Sequence, residues 1–435
     1  MQPTMNLSVD GGAKLRGTVV TNTSKNGAVG LLAAALLNKN TTTLRGMPRI
    51  EEVNRHLEAL VSIGMGIEWH GDDLTLTPPK KYDLKAIDSE AAMKTRSIIM
   101  YIGSLMHHFK SFSIPQSGGC KLGSRTVRPH FYALEHFGVH IDTKDTAFKV
   151  TVDKKASDEV ILYESGDTVT ENALLAAALT EGITTIKYAS ANYMVQELCF
   201  FLEACGITIE GIGTSTLRVH GIREISTPIV YDLAEDPTDA MFFLTAAIVT
   251  NSALSITRVP IHFLELELLK LEKMNFKYTR SKPYFSNNGR TVLVDIKTKP
   301  SQLVALEEKI HPNVYPGLNA DNLPFFAVIA TQAEGTTLIH DWMYEKRAIY
   351  FTELDKLGAH TDLADPHRIF IHGKTPLHAN ELVCPPALRP ATILLIAMLG
   401  AKGHSILRNI YSINRGYEGL VERLSALGAK ISYLK

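Results

Sequence analysis

Apolar residues in this chain come in two textures whose order repeats. One is an Ala/Leu-rich run that is apolar nearly all round, as in residues 31–37, 242–249 and 393–399. A helix without a polar face predicts burial inside a domain. The other is a short stretch of β-branched residues behind a polar turn, which predicts a strand. The two join as helix, turn and strand in residues 31–48, 174–190, 243–260, 326–343 and 394–410, with a degenerate copy at 98–115. Each copy leads to a second predicted helix that ends at Gly64, Gly138, Gly206, Asn275, Gly358 or Gly428. Glycine and asparagine suit a left-handed helix terminus.

These ends recur about every 70 residues, with one longer interval near 83 before Gly358. Units of that size are too large for a solenoid. They predict an α/β (α+β) fold in which sheets wrap outside buried helices, the reverse of a TIM barrel. Three units per domain is the natural split, because a single core stops growing near 250–300 residues.

Composition narrows the function classes. The chain has 435 residues, 45% hydrophobic and 21% charged, with 45 basic and 45 acidic side chains. Zero net charge removes any global footprint for nucleic acid, so an anion site must be a local cluster. The N-terminus lacks the basic and apolar regions of a signal peptide, and no apolar run reaches the roughly 18–20 residues of a membrane span. Cys120, Cys199, Cys205 and Cys384 lack framework spacing, which predicts a reducing, cytoplasmic location. None of them stands at zinc-ligand spacing with histidine, and Gly11-Gly12 is too short for a dinucleotide loop. No metal and no cofactor is expected.

Cys120 is the most chemically suggestive residue. It lies in the run Ser117-Gly118-Gly119-Cys120-Lys121-Leu122-Gly123-Ser124-Arg125. Flanking glycines let backbone N–H groups approach an anion, while Lys121 and Arg125 favour the thiolate. That pattern fits a nucleophile or proton donor working on an anionic substrate, and equally a surface thiol in a Gly-rich turn.

Beside the Cys120 loop with Arg125, the chain carries the motifs Ser24-Lys25-Asn26, Met93-Lys94-Thr95-Arg96 and Tyr315-Pro316-Gly317-Leu318-Asn319-Ala320-Asp321. Arg347, Leu388-Arg389 and Asn414-Arg415-Gly416-Tyr417-Glu418 complete the set. With these motifs, in this order, the chain over its whole length resembles the enolpyruvyl transferases, most closely the UDP-N-acetylglucosamine 1-carboxyvinyltransferases of peptidoglycan synthesis and more distantly 5-enolpyruvylshikimate-3-phosphate synthase. The resemblance implies two inside-out α/β domains of three repeats each, with the active site in the cleft between them. It places 23–233 in the domain that carries the Cys loop, and 1–22 with 234–435 in the other.

It also implies the roles. The enolpyruvyl group of phosphoenolpyruvate passes to an acceptor hydroxyl and phosphate leaves. Lys25, Arg125 and Arg415 would clamp the phosphate, with Arg347 and Arg389 completing the anion contacts and Asn26 and Arg96 lining the site. Arginine suits this work because its planar fork binds such anions bidentately. Read alone, Arg347 would be a surface charge. Asp321 would take the acceptor proton; read alone, it is an Asx turn or helix cap before Leu323. Cys120 would be general acid, covalent nucleophile or both. Cys199, Cys205 and Cys384 read as structural.

The acceptor pocket, expected around Val127, Arg128, Asp167, Thr168, Met343 and Tyr344, departs from the family pattern. Thr126-Val127-Arg128-Pro129-His130 carries a base where the family has an acid. Asp167-Thr168 stands where the family has Val-Gly, and Ala387 where it has an aspartate. Three functions follow: transfer to UDP-N-acetylglucosamine, transfer to another hydroxyl such as that of a different nucleotide, and a catalytically weak regulatory paralogue.

Overall fold

The apolar runs fold as buried helices. The computed structural model describes residues 5–116, 126–144, 146–153 and 158–434. These divide into two compact units: one holds the residues up to Asn22 and from Glu235 onward, the other the residues between Thr23 and Ala234.

In the first unit all residues of the helices Pro237–Val249 and Leu323–Ala330 are buried, as is nearly all of Leu388–Gly400. In the second, Lys25–Ala35, Asp167–Ala178 and Tyr193–Ala204 form the corresponding core. Local chemistry sets where they start. Ser24 and Asp236 cap their helices through side-chain oxygens, and Pro237 sits in the first turn, where its missing N–H costs nothing. All six expected stops, Gly64, Gly138, Gly206, Asn275, Gly358 and Gly428, adopt positive φ between 68° and 104°. A Cβ is strained there, which is why glycine recurs.

Six sheets carry the strands among the described residues. Five share one order of pairing: a parallel pair, then two antiparallel partners in succession. Glu159–Ile161 runs parallel to Gly182–Lys187, which pairs antiparallel with Thr216–Gly221, and that with Thr208–Glu210. Leu303–Val304, Ala333–His340, Arg368–Gly373 and His360–Asp365 repeat the pattern in the other unit. In the sixth sheet Ser111–Pro115, Ala147–Val152 and Val139–Lys144 are wholly antiparallel.

Two segments differ from the sequence expectation. Ala348–Leu357, expected as a second helix of the common kind, is a 3₁₀ helix. Its buried residues Ala348, Phe351, Leu354 and Leu357 recur every third position, which matches three residues per turn better than 3.6. The degenerate copy begins as a 3₁₀ turn, Ser97–Met100, before the short helix Tyr101–Leu105. Among the described residues no helix is long and apolar enough to cross a membrane.

Candidate active-site residues in each unit

In the first unit the segment before the Leu323–Ala330 helix is tied down by amides. The Asn319 side chain accepts from the Asp321 N–H at 2.8 Å, so Asn319 makes the Asx turn. The Asn319 N–H and the Asn322 side chain both donate to Glu267 Oε1, at 3.3 and 2.8 Å. The helix cap position is Asn322, and the Asp321 carboxylate, 27% exposed, accepts from Arg389 Nη2 at 3.1 Å. Arg389 is 7% exposed and also donates to the Tyr417 hydroxyl at 2.7 Å and to Thr238 Oγ1 at 2.9 Å. A guanidinium held on three sides keeps one orientation, which suits a group meant to meet an anion without rearranging.

Arg347 corrects the surface-charge reading. It is 1% exposed, ion-paired to buried Asp341, bonded to the Ala320 carbonyl at 2.8 Å and stacked 4.1 Å from the centre of the Tyr344 ring. It thus grips the backbone next to Asp321. Burial raises the Asp341 carboxyl above its ordinary range, with Arg347 opposing the rise. Arg415 closes the Tyr411–Asn414 turn, half-buried, two residues before the Tyr417 that holds Arg389. Met343 is exposed on the turn before Tyr344.

In the second unit Lys25 and Asn26 open the Lys25–Ala35 helix. Lys25 Nζ lies 3.4 Å from Asn26 Oδ1, and Asn26 Nδ2 donates to the Tyr193 hydroxyl at 2.9 Å. Beneath them are two buried acids. A Cβ at Gly27 would fall 2.1 Å from Glu197 Oε2, and one at Gly30 would fall 2.7 Å from Glu171 Oε1. Burial pushes the Glu171 carboxyl well above its usual range, and the charges of Asp167 and Glu197 add to the push. The sequence reading passed over Glu197 and took Glu171 only as motif. The available signal was one mid-helix acid in each apolar helix, Glu171 and Glu197, opposite Gly27-Ala28-Val29-Gly30.

Arg96 is set by its neighbours. Thr95 and Ser97 bond to each other at 2.8 Å, and His56 Nε2 reaches Ser97 at 2.8 Å and Thr95 at 3.1 Å. Thr95 also donates to Glu52, and His56 Nδ1 meets the Tyr101 hydroxyl at 2.9 Å. Arg96 Nη2 donates to the Thr126 carbonyl at 2.9 Å, which brings it beside Val127.

The residues expected around the acceptor in this unit sit at the starts of the Arg128–Glu135 and Asp167–Ala178 helices. Arg128 is exposed at the start of the Arg128–Glu135 helix, and Thr168 Oγ1 lies 3.4 Å from His130 Nε2. Asp167 does not stand as a loose charge: it accepts from Ser190 at 2.6 Å and from Asn192 at 3.2 Å. Cys120, Lys121 and Arg125 lie outside the described residues. The other three cysteines are buried free thiols, with burial raising Cys205 and Cys384 to about 12 and Cys199 further.

With this geometry in hand, comparison with known proteins is direct. Residues 9–424 match the family described as EPSP synthase (3-phosphoshikimate 1-carboxyvinyltransferase). The chain belongs to this family of enolpyruvyl transferases, and it is an enzyme of the 1-carboxyvinyl transferase class. It is 33% identical to the UDP-N-acetylglucosamine 1-carboxyvinyltransferase of Treponema denticola, over 97% of this chain and 98% of that one. The protein of the same name from Borreliella burgdorferi is also 33% identical, over 98% of each. Among solved structures, the enolpyruvyl transferase NikO from Streptomyces tendae superposes with a TM-score of 0.83 at 23% identity, covering 99% of both chains. An EPSP synthase from Acinetobacter baumannii gives 0.75 at 18% identity, covering 99% of this chain and 100% of that one. At such identities these two likenesses speak for the fold.

Proposed function

We propose that this enzyme transfers the enolpyruvyl group of phosphoenolpyruvate to a hydroxyl of UDP-N-acetylglucosamine, releasing phosphate, in the cytoplasm and as the first committed step of peptidoglycan synthesis. The acceptor is supported by the full-length relatives that carry that activity in their names. The observation that carries the chemistry is the Asp321 carboxylate seated against an immobilised Arg389. Each unit is read as three repeats closed around buried helices, a reading supported by the shared pairing order and the six left-handed helix ends.

The reaction begins with a proton added to C3 of phosphoenolpyruvate, which leaves C2 electron-poor. The acceptor oxygen bonds to C2 while Asp321 takes the hydroxyl proton. The tetrahedral product still carries phosphate. It breaks down as the C2–O bond to phosphate cleaves and C3 loses a proton, restoring the double bond. Lys25, Arg125 and Arg415 are assigned to the departing phosphate, and Arg347 and Arg389 to the remaining anion contacts. The buried state of Arg347 makes its part indirect, through the Ala320 carbonyl. Cys120 is assigned to protonate the leaving oxygen, to add to C2, or both.

A second reading, transfer to a different nucleotide hydroxyl, is favoured by the exposed Arg128 and by Thr168 where the family pattern has glycine. One assay separates the readings: phosphate release from phosphoenolpyruvate with UDP-N-acetylglucosamine and with a panel of other nucleotides. Turnover with UDP-N-acetylglucosamine is expected. Turnover with another nucleotide alone would select the second reading, and none with any acceptor would point to a regulatory paralogue.

A further inference from the structure

We propose a binding site for a divalent transition-metal ion on the outer face of the sheet built from Ala333–His340, Arg368–Gly373 and His360–Asp365, with His360, Asp362 and His372 as its ligands. His360 and His372 are direct cross-strand partners, and Asp362 lies two residues beyond His360 on the same face. The two imidazole rings stand 4.6 Å apart, tilted by 39°. His372 Nε2 is 2.8 Å from Asp362 Oδ2. One ligand atom from each of the three residues falls within 4.8 Å of the other two. Ligand atoms that close can reach one ion with side-chain adjustment alone.

The other unit supplies an internal control. There Thr208–Glu210 and Thr216–Gly221 pair in the same register, and His220 meets Glu210 at 2.7 Å. His220-Gly221 corresponds to His372-Gly373, and Glu210 to Asp362. An exposed His–carboxylate pair is thus an ordinary feature of these sheets, and His404 with Asp10 is a further case at 2.7 Å. The partner of His220, however, is Thr208. The second imidazole at position 360 is what turns a surface pair into a three-ligand set.

The support around the set also fits. His372 Nδ1 lies 2.9 Å from Thr336 Oγ1. With its Nδ1–H donating to that hydroxyl, Nε2 is left to coordinate, the usual arrangement behind a metal-bound imidazole. Two nitrogens and one carboxylate oxygen select borderline ions such as zinc, cobalt or nickel over magnesium and calcium, which prefer oxygen alone. Asp362 is 66% exposed and His372 32%, so water completes the coordination. The ion would clip the two strands together. None of the residues assigned to transfer chemistry lies on these strands.

The test is calorimetric titration of the chelator-treated full chain with zinc chloride, beside His360→Thr, Asp362→Asn and His220→Ala. His360→Thr copies the residue of the equivalent sheet, and an unchanged melting curve in chelator would confirm that it folds. One saturable zinc site is expected in the wild type and in His220→Ala, lost in His360→Thr and weakened in Asp362→Asn. Thr336→Val should weaken it by about tenfold or more. Absence of saturable binding in the wild type, or equal binding by His360→Thr, would overturn the proposal.

Discussion

Asp321 and Arg389 show how one contact can be read two ways until its surroundings are known. An ion pair near the surface contributes little to stability, but Arg389 is also bonded to Tyr417 and Thr238 and is nearly buried. Asp321→Asn keeps an acceptor oxygen for Arg389 and removes the base. On the proposed mechanism kcat should fall by about a hundredfold or more while the melting temperature barely moves. Steady-state phosphate release and a thermal scan on the same preparation would check both. Gly27 makes a complementary case. Alanine in mid-helix ordinarily gains about 1 kcal/mol over glycine. At Gly27 its Cβ would collide with Glu197, whose Oε1 accepts from the Ala234 N–H at 2.5 Å. Gly27→Ala should instead cost about 1–3 kcal/mol in urea unfolding, since relieving the clash would displace the carboxylate from the Ala234 N–H. A stabilised variant would show that Glu197 is free to move.

At the scale of elements, buried polar side chains hold the candidate site segments in place. Glu267 binds the Asn319–Asn322 turn from the Glu265–Lys273 helix. Burial raises its carboxyl from 4.5 to about 7, against the opposing pull of Asn322 and backbone donors. Because the folded value is raised, its contribution to stability is complete below about 4.5 and is lost as pH climbs through about 7. A gap of that size corresponds to about 3 kcal/mol. Glu267→Gln keeps the acceptor and removes the titration. The wild type should therefore lose stability relative to Glu267→Gln between pH 5 and pH 8, by up to about that amount, in paired urea melts. Parallel curves at both pH values would refute the assignment. His56 works in the opposite sense. Burial lowers it to about 4, with Glu52 opposing and Lys25 reinforcing, so the Thr95–Ser97 bracket behind Arg96 is secure above about 6.5 and weakens as pH falls through 4.

At the scale of the whole molecule, donor and acceptor are expected to depend on separable residues. The Asp167 carboxylate is held by Ser190 and Asn192, donors that fix its position and favour its charged form. Arg128 has an exposed side chain on the Arg128–Glu135 helix, whose His130 lies 3.4 Å from Thr168 Oγ1. Arg128→Asp should change the affinity for UDP-N-acetylglucosamine by about tenfold and leave the KM for phosphoenolpyruvate unaltered. Calorimetry with the nucleotide sugar and initial rates over a phosphoenolpyruvate series would read the two separately. A parallel change in both would mean that Arg128 serves the shared chemistry.

By itself the sequence determined the texture of this fold. All-round apolar runs had to be buried, and a glycine or asparagine had to end each second helix, because those constraints act within a few residues of chain. The family motifs likewise stand in the order in which the chain is written. Only tertiary structure decided what long-range pairing decides. Arg347 reads as a surface charge until Asp341 and the Ala320 carbonyl enclose it. Asp321 reads as a cap until Arg389, distant in sequence, reaches its carboxylate. His360, Asp362 and His372 have no zinc-ligand spacing along the chain, because two strands bring them together across a ladder. Burial and cross-strand register are properties of the folded chain, and they fix the charge, partners and reach of a side chain that spacing alone leaves open.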